Sequence, residues 1–509
     1  MGEKGDYSDL HLCDSKDFDS KALYVTLSHC WGPKGVLFKL ERTNHSALSE
    51  RIPISALSQT FKDAIDFTRR LQVFGVKYIW IDALCIVQDS EGDEDWRDQA
   101  RIMGEIYGSS FCNLAATVGP DGSSGFGLNL DRISRHVCTI KAGINSCLSG
   151  CFGIQNRDIF RSWARVDTIL SRGWCVQELA LAPRVLYFGR GCTAWDCSTL
   201  TAEEGAPTRQ MTLKDGYAFT GRKHRGVSPQ SITLRLYGKI TDKTPFEYYL
   251  VWMNIVRVYS LCALTRHTDR LIAISGIARL IHKGLGPEEE YIAGLWKQYL
   301  PFHLIWKVSV GPRENFQLWP YRAPSWSWAS VDGVGVYNHL TNVEAISGCV
   351  PFIKAHAVVE FENTDQFGAI KSAVLHVQGP VFKAFLGPRG QNQAKHLCKL
   401  FVNQTLDSRN NEPELVTNGP AMLDINYPGP EPVTVYCLVV MTTAIEGGLA
   451  GLILVRQDDS SICGRYIRIG VFYNLRVDIL PRVRGSWRLD DREEYEREEV
   501  GGDYRISII

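Results

Sequence analysis

Short apolar runs of strand length alternate with amphipathic stripes of helical period through the first 200 residues. Strands are predicted at 23–28, 77–82, 111–117 and 184–189, and helices at 57–71, 93–107 and 174–182. Strands that alternate with helices pair in parallel beneath a helical cover, so the pattern predicts an α/β domain with a mostly parallel sheet. Ligands of such sheets bind beyond the carboxyl ends of the strands, which makes the residues that follow each strand the first candidates for a site.

The first two predicted helices carry clear apolar faces. Ser58 is a candidate N-cap for the first of them, because its hydroxyl can accept a hydrogen bond from a free backbone N–H. The apolar face of this helix consists of Phe61, Ala64, Ile65, Thr68 and Leu71. The face of the second helix consists of Trp96, Ala100, Met103 and Tyr107. Both stripes follow the helical period, so both faces are expected to pack on the sheet.

The rest of the chain differs in composition from this first part. A chain of 509 residues exceeds the roughly 250–300 residues that one hydrophobic core supports, so at least two domains are expected. The predicted boundaries are 1–200 for the α/β domain, 201–245 for a polar linker or insertion, 246–333 for a helical and aromatic segment, and 334–509 for a β-rich domain. Near the C-terminus, the acidic stretch DDREEYEREE predicts a solvated helix.

Charge and cysteine content exclude several classes of protein. Lys plus Arg equals Asp plus Glu at 56 each, so the chain has no net field to recruit nucleic acid or an anionic membrane. No apolar run approaches the ~20 residues that span a bilayer, and the N-terminus lacks the apolar core of a signal peptide. The 15 cysteines form no CxxC pair. We expect a reduced, cytoplasmic protein without a metal ion and without a nucleic-acid or membrane partner.

Three dense segments supply the candidate site residues: YVTLSHCWG at 24–32, YIWIDALCIVQD at 78–89 and SRGWCVQEL at 171–179. Glu178 lies near the start of a predicted helix. Its carboxylate could favour the helix dipole, or it could act as an acid or base and stabilise positive charge on a sugar carbon. Asp82 ends an apolar strand, where an acid is either a cap or a site residue; we favour the site.

The cysteines in these segments have two interpretations each. Cys30 is a candidate nucleophile, although the neighbouring His29 is badly placed to activate it, because adjacent side chains diverge along a strand. A buried, inert thiol is the other interpretation, and it applies equally to Cys85 and Cys175. Of these, Cys175 has the better position for reactivity, since the start of a helix favours a thiolate.

In this order, the three segments resemble the fungal heterokaryon-incompatibility (HET) domain over about residues 22–190. HET domains are distant relatives of TIR domains, so the resemblance implies a TIR/flavodoxin-like sheet. It also places Glu178 where NAD-cleaving TIR enzymes carry their catalytic glutamate. Asp82 and Cys30 are the further candidate catalytic residues, from their positions in the sequence. The residues expected to line the nucleotide site are Ser28, His29, Trp31, Gly32, Cys85, Arg172 and Trp174.

The resemblance implies a role in nonself recognition, in which a HET domain triggers cell death when incompatible fungal cells fuse. Three functions stay open. The first is an NAD-cleaving effector, with NAD as substrate and no required cofactor. The second is a biosynthetic enzyme that uses Cys30, His29 or Asp82 on a small natural product. The third is a non-enzymatic signalling module that acts by self-association.

Overall fold

The computed structural model divides the chain into two compact units, Met1–Asp242 and Lys243–Ile509. The described residues are 9–19, 21–127, 138–144, 148–154, 168–189, 193–204, 244–308, 321–332, 335–337, 348–387, 397–402, 414–415, 421–424, 433–443, 448–457, 462–484, 489, 492–499 and 501–509. Most of the predicted linker at 201–245 therefore lies outside the described residues.

The N-terminal unit is built on a six-stranded mixed sheet. Its strands, with those of a separate hairpin, are β1 (Leu23–Ser28), β2 (Val76–Trp80), β3 (Cys112–Ala116), β4 (Cys138–Ile144), β5 (Leu148–Ile154), β6 (Arg184–Phe188), β7 (Thr193–Cys197) and β8 (Thr201–Glu203). The sheet order is β2-β1-β3-β6-β7-β8, and β4 pairs with β5 in a separate two-stranded sheet. The first four strands of this order run parallel, as predicted, whereas β7 and β8 extend the sheet in antiparallel fashion. The sequence patterns did not predict that extension or the β4–β5 hairpin.

Five α-helices accompany the described part of this unit: α1 (His45–Glu50), α2 (Gln59–Arg70), α3 (Asp82–Cys85), α4 (Glu94–Gly108) and α5 (Gly173–Leu181). The three predicted helices correspond to α2, α4 and α5. The Ser58 hydroxyl accepts a hydrogen bond from the Phe61 N–H at 3.3 Å, so the predicted cap of α2 is confirmed. None of the described helices is both long enough and apolar enough to cross a membrane.

Hydrophobic residues cover both faces of the parallel strands. Leu114 on β3 packs in a cluster with Phe61 of α2, whereas the next residue, Ala115, packs with Leu179 of α5 in another. Successive side chains of a strand point to opposite faces, so this alternation shows that the sheet is buried on both sides. A doubly covered sheet leaves its strand ends as the accessible places for polar chemistry.

The C-terminal unit begins with helices and small sheets. Its described helices are α6 (Pro245–Tyr259), α7 (Ser275–Leu285), α8 (Leu300–Leu304) and α9 (Leu480–Arg484). Thr244 and Glu247 form a capping box at the start of α6, with Pro245 in the first turn. Trp252 and Trp328 are buried within this unit, and both indole nitrogens donate to the Gly294 carbonyl oxygen.

The remainder of this unit is β-rich, as predicted. Its strands are β9 (Tyr291–Ile292), β10 (Leu295–Trp296), β11 (Lys307–Val308), β12 (Val336–Tyr337), β13 (Lys354–Phe361), β14 (Ile370–Gly379), β15 (Val381–Leu386), β16 (Leu397–Cys398), β17 (Leu400–Val402), β18 (Glu414–Leu415), β19 (Ala421–Leu423), β20 (Val433–Thr442), β21 (Leu449–Arg456), β22 (Arg465–Leu475), β23 (Arg497–Glu498) and β24 (Tyr504–Ile508). Strands β13 to β24 join in one twelve-stranded sheet, while β9 pairs with β10 and β11 with β12.

The prediction of a solvated helix in the acidic stretch DDREEYEREE was wrong. Its described part forms a 3-10 turn at Arg492–Glu494 and the short strand β23. Glu494 is buried, and its carboxylate accepts hydrogen bonds from the Lys383 ammonium group and the Tyr436 hydroxyl, both 2.7–2.8 Å away. A run of charged residues stays in solvent unless other strands supply hydrogen-bond partners for it. Here β15 and β20 supply the donors that allow a glutamate carboxylate to be buried.

A buried ion pair links the helical and β-rich parts of this unit. The Arg468 guanidinium on β22 donates to the Asp424 carboxylate at 2.8 Å, and also to the carbonyl oxygens of Leu304 and Trp306. Both charged side chains are at least 96 % buried. Because water is excluded, the loss of one partner leaves an uncompensated buried charge.

We predict that Asp424→Leu lowers the free energy of unfolding by about 3–5 kcal/mol, because it leaves Arg468 buried without a carboxylate. Urea denaturation followed by tryptophan fluorescence measures the effect. The double variant Asp424→Leu/Arg468→Met should recover much of the loss, and Asp478→Asn, which alters an exposed pair with Arg476, should change little. Equal effects of Asp424→Leu and Asp478→Asn would contradict the prediction.

Candidate functional site

The candidate site lies where β1 and β2 end. Ser28 is the last residue of β1, and Asp82 follows two residues after the end of β2. The strand order reverses between β1 and β3, because β2 lies on one side of β1 and β3 on the other. Such a switch point opens a crevice at the carboxyl ends of the strands, which is where ligands bind in doubly wound sheets.

Glu178 projects from α5 into this region and is buried. The Ser28 hydroxyl and the Tyr107 hydroxyl are its hydrogen-bonding partners. Burial, followed by the negative field of Asp82, raises the pKa of Glu178 to about 7, although the Ser28 hydrogen bond, the Arg172 charge and the Tyr107 hydrogen bond all act to lower it. The carboxyl group therefore exchanges its proton near neutral pH, as an acid–base group requires.

Asp82 is the first residue of α3, and its carboxylate accepts two hydrogen bonds there, while its role in the chemistry stays a prediction. Its Oδ1 accepts from the Ala83 N–H at 2.7 Å at the start of α3, and its Oδ2 accepts from the Trp31 indole N–H at 2.8 Å. The His29 Nδ1 lies 3.8 Å from Oδ1. One-fifth of the Asp82 side chain remains exposed, so this carboxylate reaches the solvent edge of the cluster.

Arg172 supplies the positive charge of the cluster. Its Nη1 donates to the His29 carbonyl oxygen at 2.5 Å, which attaches the residue before α5 to the end of β1. Burial acts to lower the pKa of Arg172, but the negative fields of neighbouring groups, Glu178 and Asp82 among them, outweigh burial and raise it above its ordinary value. The guanidinium is therefore permanently charged and is suited to hold an anionic ligand group.

His29 is a buried, neutral imidazole. Burial lowers its pKa, against the opposing effect of Asp82. The ring packs edge-on against Phe61 with 5.0 Å between ring centroids, and its Nε2 has no hydrogen-bond partner. Because side chains alternate along the strand direction, His29 faces the α2 side whereas Ser28 faces α5.

The cysteines of the three segments lie in protected surroundings. Burial raises the pKa of Cys85 to about 12 and that of Cys175 well above its ordinary value. The expectation that a helix start favours a thiolate at Cys175 was therefore wrong, because burial and the nearby Glu178 outweigh the helix dipole. Cys30 is buried in the same apolar cluster as Cys175, and its catalytic role stays a prediction.

Gly32 and Trp174 pack against neighbouring elements of the N-terminal unit. Gly32 has a φ of 77°, and a Cβ there would approach the Asp121 Cβ to 2.6 Å, so only glycine allows the loops after β1 and β3 to come this close. Trp174 packs edge-on against Trp96 of α4, with ring centroids 5.8 Å apart. Both tryptophans are half-buried. A side chain at position 32 would block the approach of the two loops.

Two residues of the cluster were missed by the reasoning from sequence. Tyr107 was assigned only to the apolar face of a helix, yet its hydroxyl reaches Glu178 and lies 3.2 Å from the Leu27 carbonyl oxygen. Asn113 is fully buried on β3, and its Nδ2 donates to the Ser28 Oγ at 2.9 Å. The available signal for Asn113 was an amide side chain in the middle of the mainly apolar run FCNLAAT.

The side chains of the cluster around Glu178 are poor ligands for a metal ion. Across the described residues, no group of three or more His, Cys, Asp and Glu side chains is placed to hold one. At neutral pH the Cys175 thiol is protonated, and Arg172 lies among the carboxylates where a cation would have to bind. The arrangement suits proton transfer and the binding of anionic groups.

The raised pKa of Glu178 predicts a pH dependence of stability. The unfolded group has a pKa of 4.5 and the folded group about 7, so the folded state holds the proton more tightly, and stability falls as pH rises through this window. The loss amounts to about 3 kcal/mol, from 1.36 kcal/mol per pKa unit. We expect Glu178→Gln to be more stable than wild type at pH 8. Its stability should also not fall as pH rises through the range in which Glu178 titrates. Chemical denaturation at pH 4.5 and pH 8 tests this, and parallel profiles for the two proteins would contradict it.

Comparison with known proteins gives a match to a family model. No curated protein and no solved structure matches the chain. The family described as "Heterokaryon incompatibility protein (HET)" matches residues 24–178, a range that starts in β1 and ends at Glu178. This range contains Ser28, Asp82 and Arg172 as well, so the matched family and the strand-end cluster coincide. The chain therefore carries a heterokaryon incompatibility (HET) domain at residues 24–178.

Proposed function

We propose that this HET domain cleaves the bond between nicotinamide and ribose in NAD and acts as an effector of fungal nonself recognition and cell death. The HET domain itself associates the protein with heterokaryon incompatibility. The observation that carries the chemical proposal is Glu178, a buried carboxyl group with a pKa raised to about 7 at the carboxyl ends of parallel strands. Perturbed carboxyl groups in such places are frequently catalytic.

The sheet topology supports a nucleotide as the ligand. The four parallel strands lie in the order second, first, third, fourth along the chain, if the hairpin strands β4 and β5 are left out. This is the order of flavodoxin-like sheets, which bind a nucleotide at the switch point between the first and third strands. The same order is consistent with the TIR-like fold that the resemblance implies. We propose that the NAD site lies at this switch point.

In the proposed reaction, the C–N bond to nicotinamide breaks and positive charge develops on the ribose carbon. The ionised Glu178 carboxylate stabilises this charge, as a carboxylate does in glycosidic bond cleavage. Water then adds to the same carbon and releases one proton, so NAD⁺ and water give nicotinamide, ADP-ribose and H⁺. Glu178 can accept that proton, because its pKa lies near neutrality.

The neighbouring residues have complementary proposed roles. Arg172 holds an anionic part of the substrate, for which the pyrophosphate is the natural partner. Asp82 raises the pKa of Glu178 through its negative field, and Trp31 positions Asp82 through a 2.8 Å hydrogen bond.

We predict that Glu178→Gln lowers the rate of nicotinamide release by about 10²–10⁴-fold, because glutamine keeps the shape but carries no negative charge. Chromatography of nicotinamide after incubation with NAD measures the rate, and thermal unfolding verifies the fold. The matched control is Glu105→Gln, which alters an exposed glutamate on α4 and should retain the wild-type rate.

Other outcomes distinguish the remaining functions. Wild-type protein that binds no nucleotide and releases no nicotinamide, even at concentrations that favour self-association, would overturn NAD cleavage. Loss of small-molecule turnover in Cys30→Ala would then identify a biosynthetic enzyme. A self-associating signalling module would show neither turnover nor sensitivity to Cys30→Ala.

A further inference from the structure

Two histidines lie side by side on one face of the C-terminal sheet. His356 on β13 is directly opposite His376 on β14 in the antiparallel register, and His376 is directly opposite Ser507 on β24. Directly opposite residues of antiparallel strands share a face, with Cβ atoms about 4.5–5.5 Å apart. His356 is exposed and the His376 side chain is 43 % exposed, so solvent and ions can reach both imidazoles.

The hydrogen bonds of His376 determine which of its ring nitrogens is free. The Ser507 hydroxyl donates its one proton to the Glu496 carboxylate. The 2.9 Å contact between Ser507 Oγ and His376 Nδ1 must then be a hydrogen bond that Nδ1 donates and Oγ accepts. Its Nε2 is therefore the nitrogen that can offer a lone pair, away from Ser507.

We propose that His356 and His376 are the two protein ligands of a divalent transition-metal ion, Ni²⁺, Cu²⁺ or Zn²⁺, on the exposed face of this sheet. Imidazole nitrogen is a preferred ligand of these ions. A histidine that binds a metal through one nitrogen commonly donates its other N–H to a carboxylate, directly or through a neighbour. His376 has such a support already, through Ser507 to Glu496.

Glu496 orients His376 through Ser507 and is not itself a ligand of the ion. Its Oε1 accepts the Ser507 proton and lies 3.9 Å from the donating Nδ1 of His376, on the side away from Nε2. With two protein ligands, the ion keeps coordination positions for water or for a ligand carboxylate. Because its two protein ligands lie on neighbouring strands, the ion would link β13, at the edge of the sheet, to β14.

Isothermal titration of the full chain with Ni²⁺ at neutral pH tests the proposal. Nickel is the better probe for a histidine site because zinc also binds thiolates readily, and this chain has 15 cysteines. We expect one Ni²⁺ site in the wild type that is lost equally in His356→Ala and His376→Ala. Ser507→Ala should retain the site but weaken its affinity by about 10–100-fold, because it removes the support of His376.

The control variant is His45→Ala, which removes an exposed histidine from α1 in the other unit and should leave Ni²⁺ binding unchanged. His356 is exposed and His376 is partly exposed, so we expect both variants to fold, and thermal unfolding verifies this. A wild type that takes up no Ni²⁺, or uptake that survives in both His356→Ala and His376→Ala, would overturn the proposal.

Discussion

The burial of Glu178 beside a second carboxylate is the constraint on which the site depends. A buried carboxylate is costly unless charge and hydrogen bonds compensate it. Here the compensation comes from Arg172 and from the hydroxyls of Ser28 and Tyr107, while Asp82 acts against it. The balance leaves Glu178 neither firmly ionised nor firmly neutral at neutral pH. A site of this kind is poised for proton exchange, at the expense of folding stability above pH 7.

The topology of the sheet is what brings these groups together. Ser28, Asp82 and Glu178 are separated by many residues in the chain, but β1 and β2 end at the same edge of the sheet, and α5 packs on one face of that sheet. The apolar clusters on both faces hold the strands, so the polar residues need only follow the strand ends. Gly32 completes the arrangement by allowing two loops to meet.

Reasoning from sequence predicted the elements of the N-terminal unit better than their chemistry. Short apolar runs were sufficient to predict the parallel strands, and the helical period of apolar residues was sufficient for α2 and α4. Tyr107 and Asn113 were missed because their roles depend on neighbours that are distant in sequence. The prediction of a solvated helix around Glu494 failed for the same reason, because the hydrogen-bond donors to Glu494, Lys383 and Tyr436, lie on other strands.

The charge of the proposed substrate has a consequence for Glu178. The nicotinamide ring of NAD⁺ is cationic, and a cation near a carboxyl group lowers its pKa. Bound NAD would therefore displace the proton that Glu178 shares with solvent near pH 7, and so generate the carboxylate that the proposed cleavage requires. Departure of neutral nicotinamide would remove that cation and let Glu178 take up the proton released from water. The protonation of Glu178 would thus follow the charge of its substrate, which links the raised pKa to the reaction cycle.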